Sequence, residues 1–141
     1  MKIFINGDAW LILVEKSHPL HQLFTDQFKA YLDDGDSFYT TNIIFGDVIS
    51  QLKIRHGASK ALKFTEILEE AWLGTHLRFL WIGRRTQRDA LKLFKKFSEQ
   101  PLSLFDFANV VLMNRRNIRF IMTTNQGYSK LGFKITPEVT E

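Results

Sequence analysis

The sequence predicts an α/β protein with a central, mostly parallel sheet of four to five strands covered by helices on both faces. Three observations carry that expectation. The chain opens on Ile3-Phe4-Ile5, a run apolar on both faces and suited to the middle of a covered sheet. Further strand-like runs at 37–41, 76–82 and 118–122 are each separated from the next by helical patterns. Strands joined through helices run parallel, with right-handed crossovers. In such sheets the loops after the carboxyl ends of the strands open onto the crevice that carries chemistry. Asn6, Gly7 and Asp8 stand at that place after the first strand.

Taken in order, a first helix is expected over 8–16, with Asp8 able to cap it. His18-Pro19 interrupts, and Leu20, Leu23, Phe24, Phe28 and Tyr31 then recur at helical spacing until Gly35 supplies a stop. After the strand at 37–41, Asn42 is placed to cap a helix carrying Ile44, Phe45, Val48, Ile49 and Leu52, ending near Gly57. The helix over 58–72 shows Leu62, Thr65, Leu68 and Trp72 on one face. The helix over 84–97 is expected to bury Ala90, Leu91, Phe94 and Phe97 and to solvate Arg85, Arg88, Lys92, Lys95 and Lys96. Ser103 opens a helix over 104–116 that is apolar nearly all round and should therefore be buried. A polar loop follows the strand at 118–122. An edge strand over 131–135 and a frayed tail over 137–141 complete the chain.

Length and composition narrow the classes. A chain of 141 residues with 45% hydrophobic residues and thirteen Phe reads as one globular domain, 1–141. The absence of cysteine excludes disulfides and thiolate metal sites and fits a reducing cytoplasm. No apolar run approaches the 18 or so residues of a membrane span, so a soluble cytoplasmic protein is expected. Net charge is +4, a modest excess compatible with a polyanionic partner.

Asn6, Asp47, Asp106 and Asn125 stand where an acid or amide is awkward for structure alone. Asn6-Gly7 also reads as a turn dipeptide, and Asp8 as an ordinary cap. Asp47 falls in the second turn of its helix, too far in for capping. Gly46 beside it costs that helix roughly 0.8–1 kcal/mol against Ala, which suggests a close approach by another backbone or a ligand. Ser103-x-x-Asp106 matches a capping box, at a helix start that can still face the crevice. Arg84, Arg85 and Arg88, with two further basic clusters at 53–63 and 115–119, leave polyanion contact open. His18 and His21 lack a third ligand nearby and read as surface histidines.

Together these stretches resemble the PIN-domain family. Ile3-Phe4-Ile5-Asn6-Gly7-Asp8-Ala9-Trp10 is similar to its opening strand ending in Asp-x-Ser/Thr, and Tyr39 to Asp47 to its second motif. Leu102-Ser103-Leu104-Phe105-Asp106-Phe107-Ala108-Asn109 is similar to its Leu-Ser-Phe-x-Asp motif. Ile121 to Phe133 resembles its closing Thr-Phe-Asp stretch. The resemblance covers nearly the whole chain and points to the VapC-like toxins of toxin–antitoxin pairs. It implies a three-layer αβα fold and catalytic positions at Asn6, Asp8, Asp47, Asp106 and Asn125. It also implies Mg²⁺ or Mn²⁺ held by Asp47, Asp106 and Asp8, hydrolysis of RNA, an antitoxin partner and homodimers. Such an ion wants carboxylate oxygens and activates water.

The chain departs from the family at the acids themselves. Asn6 and Asn125 replace the first and last, Asp47 is shorter than the usual Glu, Asp8 replaces Ser/Thr, and Gly127 stands where a further acid is frequent. Each amide gives up an attraction of roughly 4 kcal/mol per charge pair at 4 Å and an effective dielectric of 20, so weakened metal binding and weak or lost activity are implied. A non-catalytic PIN-fold module binding an antitoxin or RNA is the alternative. More distant is a phosphatase of the haloacid dehalogenase type, in which Asn6 would replace the nucleophile.

Overall fold

The computed structural model describes residues 1–139, the side chain of Trp72 excepted. The elements are β1 (Lys2–Ile5), α1 (Gly7–Val14), α2 (His21–Asp33), β2 (Ser37–Thr41), α3 (Asn42–His56), α4 (Ala58–Leu73), β3 (Leu77–Leu80), α5 (Arg84–Lys96), α6 (Leu104–Arg115), β4 (Phe120–Met122), a 3-10 helix (Gln126–Leu131) and β5 (Lys134–Thr136). The five strands form one sheet in the order β3-β2-β1-β4-β5, and every neighbouring pair is parallel. Ile3, Phe4 and Ile5 are fully buried, as a central strand covered on both faces requires. Their partners in register are Phe38 and Tyr39 on β2 and Phe120, Ile121 and Met122 on β4.

Among the helices, α1 packs on α2 and α3, α3 on α4, and α5 on α6, which gives the layered αβα arrangement. Aromatic rings join the layers: Phe28 of α2 stacks on Phe38 of β2 at 4.6 Å, and Phe94 of α5 meets the edge of Phe107 of α6 at 6.1 Å. α6 is buried from Phe107 to Met113.

Local chemistry differs from expectation at several points. Thr41, not Asn42, caps α3, accepting from the Ile44 N–H at 3.1 Å. Asn42 instead ties α3 to the loop after β3, accepting from the Ile82 N–H at 2.7 Å. α4 buries Ala61, Phe64 and Leu68, while Leu62 faces solvent; the Trp72 side chain lies outside the described residues. In α5 the buried positions are Thr86 and Ala90, and Leu91 and Phe94 are partly solvated. The expected polar loop runs into the 3-10 helix, whose Tyr128 is fully buried. Pro137 is buried against the domain, and Thr140 and Glu141 of the expected tail lie outside the described residues.

Candidate functional site

A cleft of about 660 Å³ lies at the carboxyl end of β1, between α1, α3 and α6. Asn6, Asp8, Asp47 and Asp106 line it, together with Ser103, Arg55 and Asn109. Each arrives for a local reason. Asn6 ends β1, its N–H bonded to the Met122 carbonyl of β4 at 3.1 Å. Asp8 follows within the first turn of α1. Asp106 is held by the capping box of α6: Ser103 accepts from the Asp106 N–H, and Asp106 Oδ2 accepts from the Ser103 N–H at 2.9 Å.

Asn6, Asp8, Asp106 and Asn109 of this pocket join, through Thr123 and Tyr128, in one continuous hydrogen-bond chain. Its source is Asn109, an amide in the middle of the buried, otherwise apolar stretch 107–113 of α6. Asn109 Nδ2 donates to Tyr128 Oη at 3.2 Å and to Asn6 Oδ1 at 3.3 Å. From the first branch, the Tyr128 hydroxyl donates to Asp106 Oδ1 at 2.6 Å. From the second, Asn6 Nδ2 donates to Thr123 Oγ1 at 3.3 Å, and the Thr123 hydroxyl donates to the Asp8 carboxylate at 2.9 Å. Thr124 adds its N–H at 2.8 Å and its hydroxyl at 2.7 Å to the same carboxylate. Both ends of the chain are therefore acids, and every link between them is neutral. Asn6 must accept on one side and donate on the other, which an amide does and a carboxylate does not.

That chain explains Asp8 and Asn6 differently from a cap and a turn. The Asp8 side chain turns toward β4 and holds the Thr123-Thr124 segment, and the cap position of α1 is Asn6, with no side-chain cap bond. Burial and the neighbouring Asp106 push the Tyr128 hydroxyl well above the usual tyrosine range, so it stays a donor. Asp47 sits outside the chain. It is exposed, and Gln51 Nε2 donates to it at 2.9 Å. Gln51 in turn accepts from Arg55, which also pairs with Glu15 at 2.9 Å. At Glu15 burial acts upward, but the hydrogen bonds from Arg55 and His56 win and lower its pKa.

Two expectations are corrected. Asn125 is absent from the pocket lining: its Oδ1 accepts from the Gly127 N–H at 2.9 Å and its amide nitrogen reaches the Pro101 carbonyl at 3.4 Å. It acts as a turn residue opening the 3-10 helix. Gly46 has no close neighbour, since a Cβ there would meet nothing within 4 Å. The crowded glycine is Gly127, where a Cβ would lie 2.9 Å from Leu102 Cδ2, so packing excludes an acid at that position unless Leu102 moves. Asn109 and Tyr128 were not singled out from sequence. A lone amide among seven buried helix positions was the available signal, because a buried amide needs partners.

The divalent ion implied by the resemblance does not fit these side chains as they stand. Among the described residues no three His, Asp or Glu side chains come close enough to hold one. Asp8 is turned to Thr123 and Thr124, Asp106 is shared between Ser103 and Tyr128, and Asp47, exposed where it lines the cleft, accepts from Gln51. Both oxygens of Asp8 and both of Asp106, which a hard cation would need, already accept hydrogen bonds.

The fold belongs to a known class. It is the PIN-like three-layer fold of the VapC toxins. The sequence matches no protein-family model and no curated protein. Among solved structures, VapC20 of Mycobacterium tuberculosis, described as a toxin that cleaves the sarcin–ricin loop, superposes with a TM-score of 0.80 at 19% identity, over 94% of this chain and 96% of that one. VapBC2 of Rickettsia felis, bound to a DNA fragment from its promoter, superposes at 0.70 with 9% identity, over 96% of this chain and 97% of that one. No helix among the described residues is long and apolar enough to cross a membrane.

Proposed function

We propose that this chain is the VapC-like member of a toxin–antitoxin pair: it engages RNA at the pocket between α1, α3 and α6 and is held by an antitoxin, with metal-dependent phosphodiester hydrolysis weak or lost. The shared fold with VapC20 and the placement of three acids in one cleft support the RNA and toxin part of the reading. The similarity to a VapBC assembly supports the antitoxin partner. The observation that carries the loss of hydrolysis is the neutral chain from Asn109 to Asp8 and Asp106, which satisfies internally the carboxylates that would otherwise attract an ion.

The test is a ribonuclease assay on total RNA across a Mn²⁺ titration, run beside an RNA-retention assay. It is paired with co-expression of the small protein encoded by a neighbouring reading frame. The expected result is RNA retention and a stable complex with that small protein, with little cleavage at any Mn²⁺ concentration. Vigorous Mn²⁺-dependent cleavage would show that the hydrogen-bond chain opens for an ion and would overturn the inactive reading. Failure to retain RNA would remove the RNA part.

A further inference from the structure

We infer that Trp81, with Arg84, Arg85 and Arg88, forms a subsite for single-stranded RNA beside the acidic pocket, the indole stacking a base while the guanidiniums take backbone phosphates. The inference rests on the RNA reading above and adds a recognition surface to it.

Three independent observations meet here. First, Trp81 is 72% exposed at the carboxyl end of β3, the same end of the sheet as the pocket. It makes no hydrogen bond or ring contact with any described residue, and its Cδ1 lies 3.7 Å from where a Cβ would stand on Gly83. A large ring left in water next to a bare backbone offers an open face for stacking.

Second, the charge of the molecule is concentrated on the helix that follows. α5 carries six cations and one acid, a net +5 that exceeds the +4 of the whole chain, so the remainder is net −1. Arg84, Arg85 and Arg88 are exposed and have no ion-pair partner among the described residues. The one acid, Asp89, is already paired with Arg115. Apolar protein partners do not call for three unpaired guanidiniums on the helix that follows an exposed indole. A single strand of RNA does, because it offers a π-face and a phosphate in every nucleotide.

Third, the segment that carries the patch adjoins the pocket. A small apolar cleft between α5 and α6 is lined by Gln87 and Ala90 of α5 and shares Ile43, Ile82 and Phe105 with the acidic pocket. Ile82 is the residue after Trp81. Ile82 thus sets the Trp81 segment of the backbone beside both clefts.

The experiment measures binding of a fluorescein-labelled oligoadenylate of twelve nucleotides by anisotropy, from 50 to 300 mM KCl, with inorganic polyphosphate as a base-free probe. W81A should weaken oligoadenylate binding about 5- to 150-fold, the range for one stacked base, and leave polyphosphate binding unchanged. W81F should keep most of the affinity and lose the RNA-induced quenching of tryptophan fluorescence. The triple variant R84Q/R85Q/R88Q should weaken both probes and reduce the salt slope by about 2, three phosphate contacts at about 0.7 each. Melting temperature checks that each variant folds. Equal oligoadenylate binding by W81A and the natural protein overturns the subsite while leaving the RNA reading intact. No oligoadenylate binding by the natural protein removes the RNA reading and the subsite with it.

Discussion

In the acidic pocket, Asp8 and Asp106 each end a run of hydrogen bonds that begins at the buried Asn109, whereas along α5 the arginines face water with no described partner. Both regions are charged and both sit at the carboxyl end of the sheet, yet they spend that charge differently. Asp8 and Asp106 are part of the fold: they hold the loop after β4 and the start of α6. The arginines of α5 hold nothing. Charge with partners in the folded chain stabilises it, and charge without them is available to something outside. If that distinction is correct, removing charge should have opposite effects on stability in the two places.

The largest effect is expected from Asp8→Ala. Asp8 accepts from the Thr123 hydroxyl, the Thr124 N–H and the Thr124 hydroxyl, and Thr123 is fully buried. Its removal leaves a buried hydroxyl without an acceptor and frees the loop that follows β4. Unfolding in urea should show a loss of about 2–4 kcal/mol. A loss below about 1 kcal/mol would mean that water replaces the carboxylate without cost and that the pocket chain is not structural.

Next comes Asn6→Asp, which tests whether the amide is a lost ligand or a needed link. The amide donates to Thr123, which already donates to Asp8. An aspartate at position 6 loses that donor and sets a second charge beside Asp8. Without metal the variant should be less stable by about 1–3 kcal/mol. Added Mn²⁺ should raise its melting temperature more than that of the natural protein only if an ion then binds the folded state. Asn125→Asp is the control: its side chain keeps its bond to the Gly127 N–H and lies outside the pocket, so neither stability nor the Mn²⁺ response should move much. A larger Mn²⁺ response in Asn125→Asp than in Asn6→Asp would reverse this assignment.

The contrast also separates what the sequence made legible from what it hid. Ile3-Phe4-Ile5 pointed to a central strand because a short run with two β-branched residues, ended at once by the turn dipeptide Asn6-Gly7, suits a strand buried on both faces. Ser103-x-x-Asp106 announced the cap of α6 because that motif is local, complete within four residues. The pocket chain is the opposite case. It joins β1, α6, the loop after β4 and the 3-10 helix, with partners from 19 to 117 residues apart. Nothing in the neighbourhood of Asn109 or Tyr128 specifies such partners. The same limit applied to Thr41 and Asn42: either can cap a helix, and only the distant Ile82 backbone, which occupies Asn42, decides between them.

The smallest expected effect has the opposite sign. Arg84 and Arg85 stand in the first turn of α5, which contains no acid, and so at the positive end of the helix dipole. Cations there oppose the dipole, each by about 0.3–1 kcal/mol at low ionic strength, and the effect fades beyond the first turn. The variant R84Q/R85Q should therefore be more stable than the natural protein by about 0.5–1 kcal/mol in urea at low salt. Arg88→Gln, one turn further in, should change stability little. Raising the salt to 1 M shortens the screening length to about 3 Å and should erase the gain. That outcome would fit arginines kept for a contact outside the chain rather than for the fold. A gain that survives 1 M salt would point to helix propensity rather than charge. A loss of stability would mean that the arginines have partners in the fold after all, and the contrast with the pocket would fail.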